Sequence, residues 1–479
     1  MNIKNILLKG IGWSAFTILG RSSIQLIQIA ILARFLPKES FGILAISLLV
    51  IQFTNIFLDA GFTSAILHFQ NATNKQYSSI YWINICIGLL LYALLYVTTP
   101  LISVFYNEIF LNNIIPILGL NLIINSIGRQ HKAILQKDLK LKTIGLIEIF
   151  SIIIGFFLSI YLVYNNYGIY SLIYPVITIA LISNILFLIT NIKKYPISLF
   201  FSWYDVKPFF NIGVYTLLST ILDFFSRQMD IIIIGKILGF EILGVYSLCK
   251  QVILKVFHII NPIMTNVFTP FLSKFQNEKE KLEKYYKDLV RFIAYLNFLV
   301  YLLIMSNSEE ILYLLYGPEY TYASLTLILI ACAYCIKSIN NPVGSLQIAL
   351  GRTDLGFKWT LLRVAITPII LILGSYWGID GMLINYLVFC LVSIVLIWVM
   401  QIKPMLKINF LHYCSQFIVP FVVTAILFFL NFFYNNNYQF FDNILTEILF
   451  KIFVNLAVFI SIVYFYDKKN INRLKQILR

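Results

Sequence analysis

The chain has 479 residues, of which 60% are hydrophobic and 16% aromatic, with only 12% charged. Soluble domains run at about 25% charged residues, so a soluble fold is excluded. In a chain this apolar the formal charge of +15 belongs in cytoplasmic loops, not on a nucleic-acid face, and no nucleic-acid partner is expected.

Apolar runs bounded by polar clusters fall at 11–34, 41–66, 79–104, 113–135, 142–164 and 168–192. They continue at 209–234, 241–268, 289–307, 322–349, 357–376 and 381–400, and close with 414–431 and 445–466. Lipid offers no partner to an open backbone, and these runs are too long for barrel strands. An all-α integral membrane protein with 14 transmembrane helices is therefore predicted. The first run carries Arg21 at its centre and lacks a small-residue cleavage site, so it reads as a span and not as a signal peptide. All six cysteines (86, 249, 332, 335, 390 and 414) lie in apolar stretches, which argues against a disulfide framework. Cys332 and Cys335 form a CxxC with no His or second pair nearby, so buried packing is expected there, and no metal.

Loop charge sets the orientation. With the N-terminus cytoplasmic, the inside segments hold Lys4 and Lys9, Lys75, the cluster Arg129, Lys132, Lys137, Lys140 and Lys142, then Lys193, Lys194 and Lys207. The series continues with Lys274 to Arg291, Arg352 and Lys358, Lys403 and Lys407, and the tail from Lys468 to Arg479. Outside loops hold only Arg34, Lys38 and Lys236. This alternation is the positive-inside pattern and puts both termini in the cytoplasm. Trp13, Trp82, Trp359, Trp377 and Trp398 all sit near proposed helix ends, with Trp203 in the 193–208 connector, as amphipathic rings at an interface should.

Sliding the chain on itself by 202 positions exposes a repeat. Ser14, Thr17, Arg21, Gln25 and Gln28 of the first span match Thr216, Ser219, Asp223, Arg227 and Asp230 of the seventh. The register persists through the next turn, where Leu36, Glu39 and Gly42 fall opposite Leu238, Glu241 and Gly244. A repeat of six spans runs parallel to its partner, about an axis along the membrane normal, with a site expected between the halves near the midplane. The expected organisation is an N-terminal lobe at 1–192, a cytoplasmic connector at 193–208 and a C-terminal lobe at 209–402. Residues 403–479 add spans 13 and 14 and a basic tail.

Seven bases lie within spans: Arg21, Arg227, Lys250, Lys255, Lys337, Arg363 and Lys451. Four acids join them: Asp59, Glu148, Asp223 and Asp230. Each costs at least ~2.5 kcal/mol at the bilayer centre, so such groups face one another or a wet cavity. Asp223 and Arg227, four residues apart, either neutralise each other or open onto that cavity. Lys451 and Arg363 lie near span ends, where snorkelling suffices, and Glu148 is close enough to the cytoplasmic end to reach water. Bases outnumber acids, so a cavity lined by Arg21, Arg227, Lys250, Lys255, Lys337 and Arg363 would suit an anion, phosphate above all. His258 shares a face with Lys255 and reads as a packing residue before a proton carrier. Asn55 and Asp59 form a second one-turn pair. Asp59, Asp223 and Asp230 are ion-coupling candidates, since a buried carboxylate exchanges protons near neutrality. Pro262, Pro342, Pro368 and Pro420 fit bent helices, which membranes tolerate.

Several stretches resemble a known family. The run from Ile31 to Ala45 (ILARFLPKESFGILA) and Leu58 to Ala65 (LDAGFTSA) look like signatures of Wzx-type flippases in the MOP (multidrug/oligosaccharidyl-lipid/polysaccharide) superfamily. Gln130 to Lys142, Met229 to Gly235, Leu243 to Ser247 and Ala349 to Thr353 are similar to later landmarks of that family. The resemblance covers the whole chain and is nearest the branch exporting colanic-acid or teichuronic-acid type units. It implies two six-helix lobes of MATE-like fold, a cationic central cavity and alternating access in a bacterial plasma membrane. The implied substrate is an undecaprenyl-pyrophosphate-linked oligosaccharide moved from the inner to the outer leaflet. Polysaccharide polymerase and chain-length regulator are implied partners, alongside membrane lipids. Coupling would be to H+ or Na+, with no cofactor.

Two rival classes predict different sequences. A MATE-like drug exporter handles mostly cations and should present an acidic cavity. A membrane-embedded polymerase or glycosyltransferase should carry a long outer loop with catalytic groups, yet 308–321 and 432–444 hold few and no Asp-x-Asp occurs. Walker, HExxH and GxGxxG patterns are also absent, so neither ATP hydrolysis nor other catalysis is expected of this chain.

Overall fold

A computed structural model describes residues 3–59, 61–69, 71–437 and 443–478. Side chains at 3–11, 14–15, 208, 210–216, 262–267, 436–437 and 467–478 lie outside the described set. Ser14 and Thr216 of the repeat, Lys4, Lys9, Pro262 and the basic tail from Lys468 therefore lie outside it too. The described chain is helical, with no strand among its described residues. Among the described residues, thirteen segments are long and apolar enough to cross a membrane. The remaining expected run, 209–234, sits inside one continuous helix, Trp203–Ile237. Large apolar side chains such as Leu90, Val97, Leu101, Phe157 and Tyr161 are exposed along these helices, which lipid, unlike water, accepts without cost. By packing the chain divides into two compact units, Met1–Ser247 and Leu248–Arg479.

The first unit contains α1 (Ile3–Ala33), α2 (Lys38–Asp59), α3 (Phe62–His68), α4 (Asn74–Tyr106), α5 (Leu111–Lys137), α6 (Leu141–Tyr164), α7 (Tyr170–Ile192), α8 (Trp203–Ile237) and the opening turns of α9 (Phe240–Ser273). Gly61, at φ 73°, leads into α3 in a left-handed conformation that any side chain would strain. Thr73 and Gln76 close a reciprocal cap at the start of α4: Gln76 N donates to Thr73 Oγ1 and Thr73 N to Gln76 Oε1. That satisfies two backbone donors that the first turn of the helix leaves without an intrahelical partner.

Helix α3 is short, and its position comes from packing. Phe62, Ala65 and Ile66 join Tyr77 and Ile80 of α4, Ala133 and Ile134 of α5, and Val206 and Phe209 of α8 in one buried cluster. Helices α4, α5 and α7 approach closely where small residues allow it. A Cβ on Gly128 would lie 2.3 Å from Asn184 Oδ1, and one on Gly88 2.9 Å from Ser126 Cβ.

The second unit continues with α10 (Lys279–Ser306), α11 (Ser308–Tyr316), α12 (Ser324–Ile339), α13 (Asn341–Leu350), α14 (Thr353–Ser375) and α15 (Gly378–Ile397). It ends with α16 (Lys403–Leu406), α17 (Phe410–Cys414), α18 (Ile418–Asn437) and α19 (Ile444–Leu478). The run expected as one span at 322–349 is broken at Asn340. Pro342 opens α13 there, where its missing N–H is no loss. Cys335 is buried, and Cys332 Sγ lies 3.2 Å from Met305 Sδ.

Lys451 departs from the snorkelling expected of it. Its side chain is 2% exposed and pairs with Glu310 of α11 and, at 3.1 Å, with Glu447 one turn earlier on α19. Asn431 and Asn455 exchange hydrogen bonds between α18 and α19. Polar contacts thus fasten the last helix, because apolar faces gain nothing from meeting each other in lipid.

Candidate functional site

Within the first unit, five charged side chains from four helices converge on a polar cleft. Glu148 of α6 uses both carboxylate oxygens: Oε2 accepts from Arg21 Nη1 of α1 at 2.6 Å, and Oε1 from Lys132 Nζ of α5 at 2.7 Å. Its side chain is 13% exposed, so its contact with water is slight and its charge is met by the two bases. One turn of α5 away, Arg129 donates from Nη2 to Asn55 Oδ1 at 3.1 Å and from Nη1 to the Asn55 carbonyl at 3.2 Å. The nearest Asp59 oxygen is 3.6 Å from Arg129 Nη1. Asp59 instead accepts a 2.6 Å hydrogen bond from Thr63 of α3. Three bases face two acids, leaving the cleft net positive.

The amides extend this network across three helices. Asn184 of α7 donates to Asn125 of α5 at 2.9 Å, and Asn125 donates to Asn55 of α2 at 3.4 Å. The contact of Gly128 with Asn184 lets α5 and α7 come close enough for this chain of amides. Two hollows open beside it. One of about 240 Å³ is lined by Arg21, Arg129, Lys132, Glu148 and Asn184. The other, about 490 Å³, is lined by Gln52, Asn55, Asp59, Thr63, Arg129 and Lys132. Arg129 and Lys132 belong to both.

Of the candidates read from sequence, Arg21 and Asp59 stand in this cleft. Arg227 and Asp223 pair with each other on α8 at 2.8 Å, with side chains 63% and 40% exposed. Asp230 accepts from the Tyr246 hydroxyl, joining α8 to α9. The remaining bases belong to the second unit. Lys250 is buried, and Lys255 is half-buried on α9. The Lys337 ammonium lies 4.7 Å from the ring centres of both Tyr334 and Tyr386, a cation–π arrangement. Arg363 of α14 is half-buried. Sequence reading missed Arg129 and Lys132 as site residues: both fall inside the 113–135 run, yet they were counted with the cytoplasmic loop charge, and α5 stays helical through Lys137. Their spacing held the signal: Asn125, Arg129 and Lys132 recur at helical intervals inside an apolar run. Among the described residues, no group of three or more His, Cys, Asp or Glu is placed to hold a metal.

These features define a multi-pass, all-α membrane protein with a basic, amide-lined cleft in its first unit. The chain belongs to the polysaccharide biosynthesis protein family, whose sequence profile matches residues 31–325. It is 28% identical over 88% of its length to the teichuronic acid biosynthesis protein TuaB of Bacillus subtilis (strain 168), of which 88% is covered. It is 25% identical to the lipopolysaccharide biosynthesis protein WzxC of Escherichia coli (strain K12), over 88% of this chain and 86% of that one. Among solved structures, the lipid II flippase MurJ in an inward closed conformation matches with a TM-score of 0.75. That match covers 96% of this chain and all of MurJ at 16% identity. The all-α membrane fold expected from sequence is thereby shown, and it is shared with MurJ.

Proposed function

We propose that this protein is a flippase carrying polyprenyl-diphosphate-linked oligosaccharide units from the inner to the outer leaflet for surface polysaccharide synthesis. The observation that carries this reading is the net-positive cleft formed by Arg21, Arg129 and Lys132 around Glu148 within otherwise apolar helices. Intramembrane bases are costly unless an anion or water visits them. A diphosphate and its sugars cannot shed water into hydrocarbon without replacement hydrogen bonds, and this cleft supplies charged and amide donors. The basic character disfavours a drug exporter, whose cationic cargo wants acids. Family membership and the relatives' roles in polysaccharide synthesis agree with the reading.

The finer features follow as part of the same proposal. The protein acts as a transporter and not as an enzyme, in the bacterial plasma membrane with both termini cytoplasmic. Its lobes are 1–192 and 209–402, joined at 193–208 and followed by 403–479. Arg227, Lys250, Lys255, Lys337 and Arg363 contribute to the cationic path, and Asp59, Asp223 or Asp230 couples transport to H+ or Na+. Outward movement of an anion also gains ~2.3 kcal/mol per charge per 100 mV of inside-negative potential. A polymerase and a chain-length regulator receive the product. Deleting the gene should trap lipid-linked units on the inner leaflet, and the wild-type gene but not its Arg129→Ala form should release them. Normal surface polysaccharide in the deletion strain would refute the proposal.

A further inference from the structure

Resting on the flippase reading, we infer that the first-unit cleft is divided into two subsites. The smaller hollow takes the diphosphate, and the larger one takes the sugar directly attached to it. Three observations support the division. First, the linings differ in chemistry. The smaller hollow sets three bases, Arg21, Arg129 and Lys132, against Glu148, with Asn125, Ser183 and Asn184 beside them. The larger holds two of those bases and Asp59 and is richer in neutral polar groups, with Gln52 and Asn55 from α2, Thr63 and Ser64 from α3, Gln136 from α5 and Thr220 from α8. Amides and hydroxyls both donate and accept, as sugar hydroxyls require. At about 490 Å³ the larger hollow is in the range of small-molecule sites.

Second, Glu148 already mimics the anion. It offers one oxygen to Arg21 and the other to Lys132, the same two-point geometry that a phosphate presents to paired bases. A diphosphate arriving there competes with Glu148 for the two bases, and the carboxylate must swing aside to admit it. Third, Arg129 and Lys132 form the wall common to both hollows. In a diphosphate-linked glycan the first sugar is bonded to the terminal phosphate, so the two subsites must share a boundary. Arg129 is suited to it. Its two hydrogen bonds go to neutral Asn55, and its ion pair with Asp59 is a long one, at 3.6 Å.

The division predicts separable binding phenotypes in the purified full chain. The probes are undecaprenyl diphosphate, which has no sugar, and the lipid-linked repeat unit extracted from a deletion strain. Wild-type protein should bind the second probe more tightly. Gln52→Ala combined with Gln136→Ala should cost about tenfold for the sugar-bearing probe and leave undecaprenyl diphosphate unchanged. Arg129→Ala and Lys132→Ala should each weaken both probes by about tenfold. Thr220→Ala, a smaller change, should repeat the selective loss more weakly if the double variant folds poorly. Equal loss of both probes in the glutamine and threonine variants, or no loss of either, overturns the division. Failure of the wild-type chain to bind either probe instead overturns the flippase reading and the division with it.

Discussion

Gly42 and Gly244 close reciprocally on the first turns of each other's helices. A Cβ on Gly42 would lie 2.1 Å from the Phe240 carbonyl oxygen, and one on Gly244 would lie 1.9 Å from the Lys38 carbonyl oxygen. Lys38 and Phe240 open α2 and α9, and both pairs stand at the 202-residue offset of the repeat. Such reciprocity is what a local two-fold relation between the openings of these helices produces. It gives the repeat seen in sequence a physical contact.

Because backbone oxygen and not a pliable side chain fills the space, neither glycine tolerates a methyl group. Gly42→Ala and Gly244→Ala should each destabilise the protein by about 1–3 kcal/mol, and by similar amounts. Thermal unfolding of the purified protein in detergent measures this. A wild-type midpoint in both variants would show that the crossing is loose.

Glu148 holds two bases at once, so its variants should not behave as a simple loss of charge. Glu148→Gln keeps the shape and an acceptor while releasing Arg21 and Lys132 toward an incoming anion. Binding of undecaprenyl diphosphate should tighten, while export slows because the lipid is not released. Affinity measured beside an export assay separates the two. Weaker binding would mean that Glu148 orients the bases and does not compete for them.

Arg129→Lys preserves charge but loses the planar fork that spans the Asn55 carbonyl and side chain. Lysine is a point donor on a flexible stem, so export should drop about tenfold or more with membrane levels unchanged. Full export by the lysine variant would reduce the role of Arg129 to charge alone.

The Lys451 cluster makes a stability prediction. Lys451→Met leaves Glu310 and Glu447 facing each other without a cation, and breaking such a buried group costs about 3–5 kcal/mol. Adding Glu310→Gln and Glu447→Gln should recover most of it. Melting curves of the single and triple variants test this, and an unaltered single variant would show the pair to be dispensable.

Asp223 tests the proposed ion coupling. Asp223→Asn removes the partner of Arg227 and any proton exchanged there. In vesicles its export should no longer respond to an imposed pH gradient. A retained response moves the coupling role to Asp59 or Asp230.

Much of the fold was legible before any coordinates. Lipid forces each crossing to be a long apolar helix, so composition alone marks the spans, and the repeat register placed Gly42 opposite Gly244. Arg21, Asp59 and the Asn55–Asp59 pair were visible as polar groups where polarity is expensive. Arg129 and Lys132 fell inside the 113–135 run but were overlooked as site residues, because loop-charge counting sees only that a base lies near a span end. Whether the helix continues past it is decided by packing against α2, α3 and α7. Lys451 was misread for a related reason, its partner Glu310 being 141 residues distant in the chain.

Sequence by itself determined that this chain spans a membrane many times, repeats itself, and keeps more bases than acids among its apolar helices, because those properties are sums over local composition. Tertiary structure alone decided which charges meet. Glu148 joins Arg21 and Lys132, and Arg129 turns to Asn55, through contacts between helices distant in the chain. Electrostatic pairing depends on ångström separations that only the packed helices define.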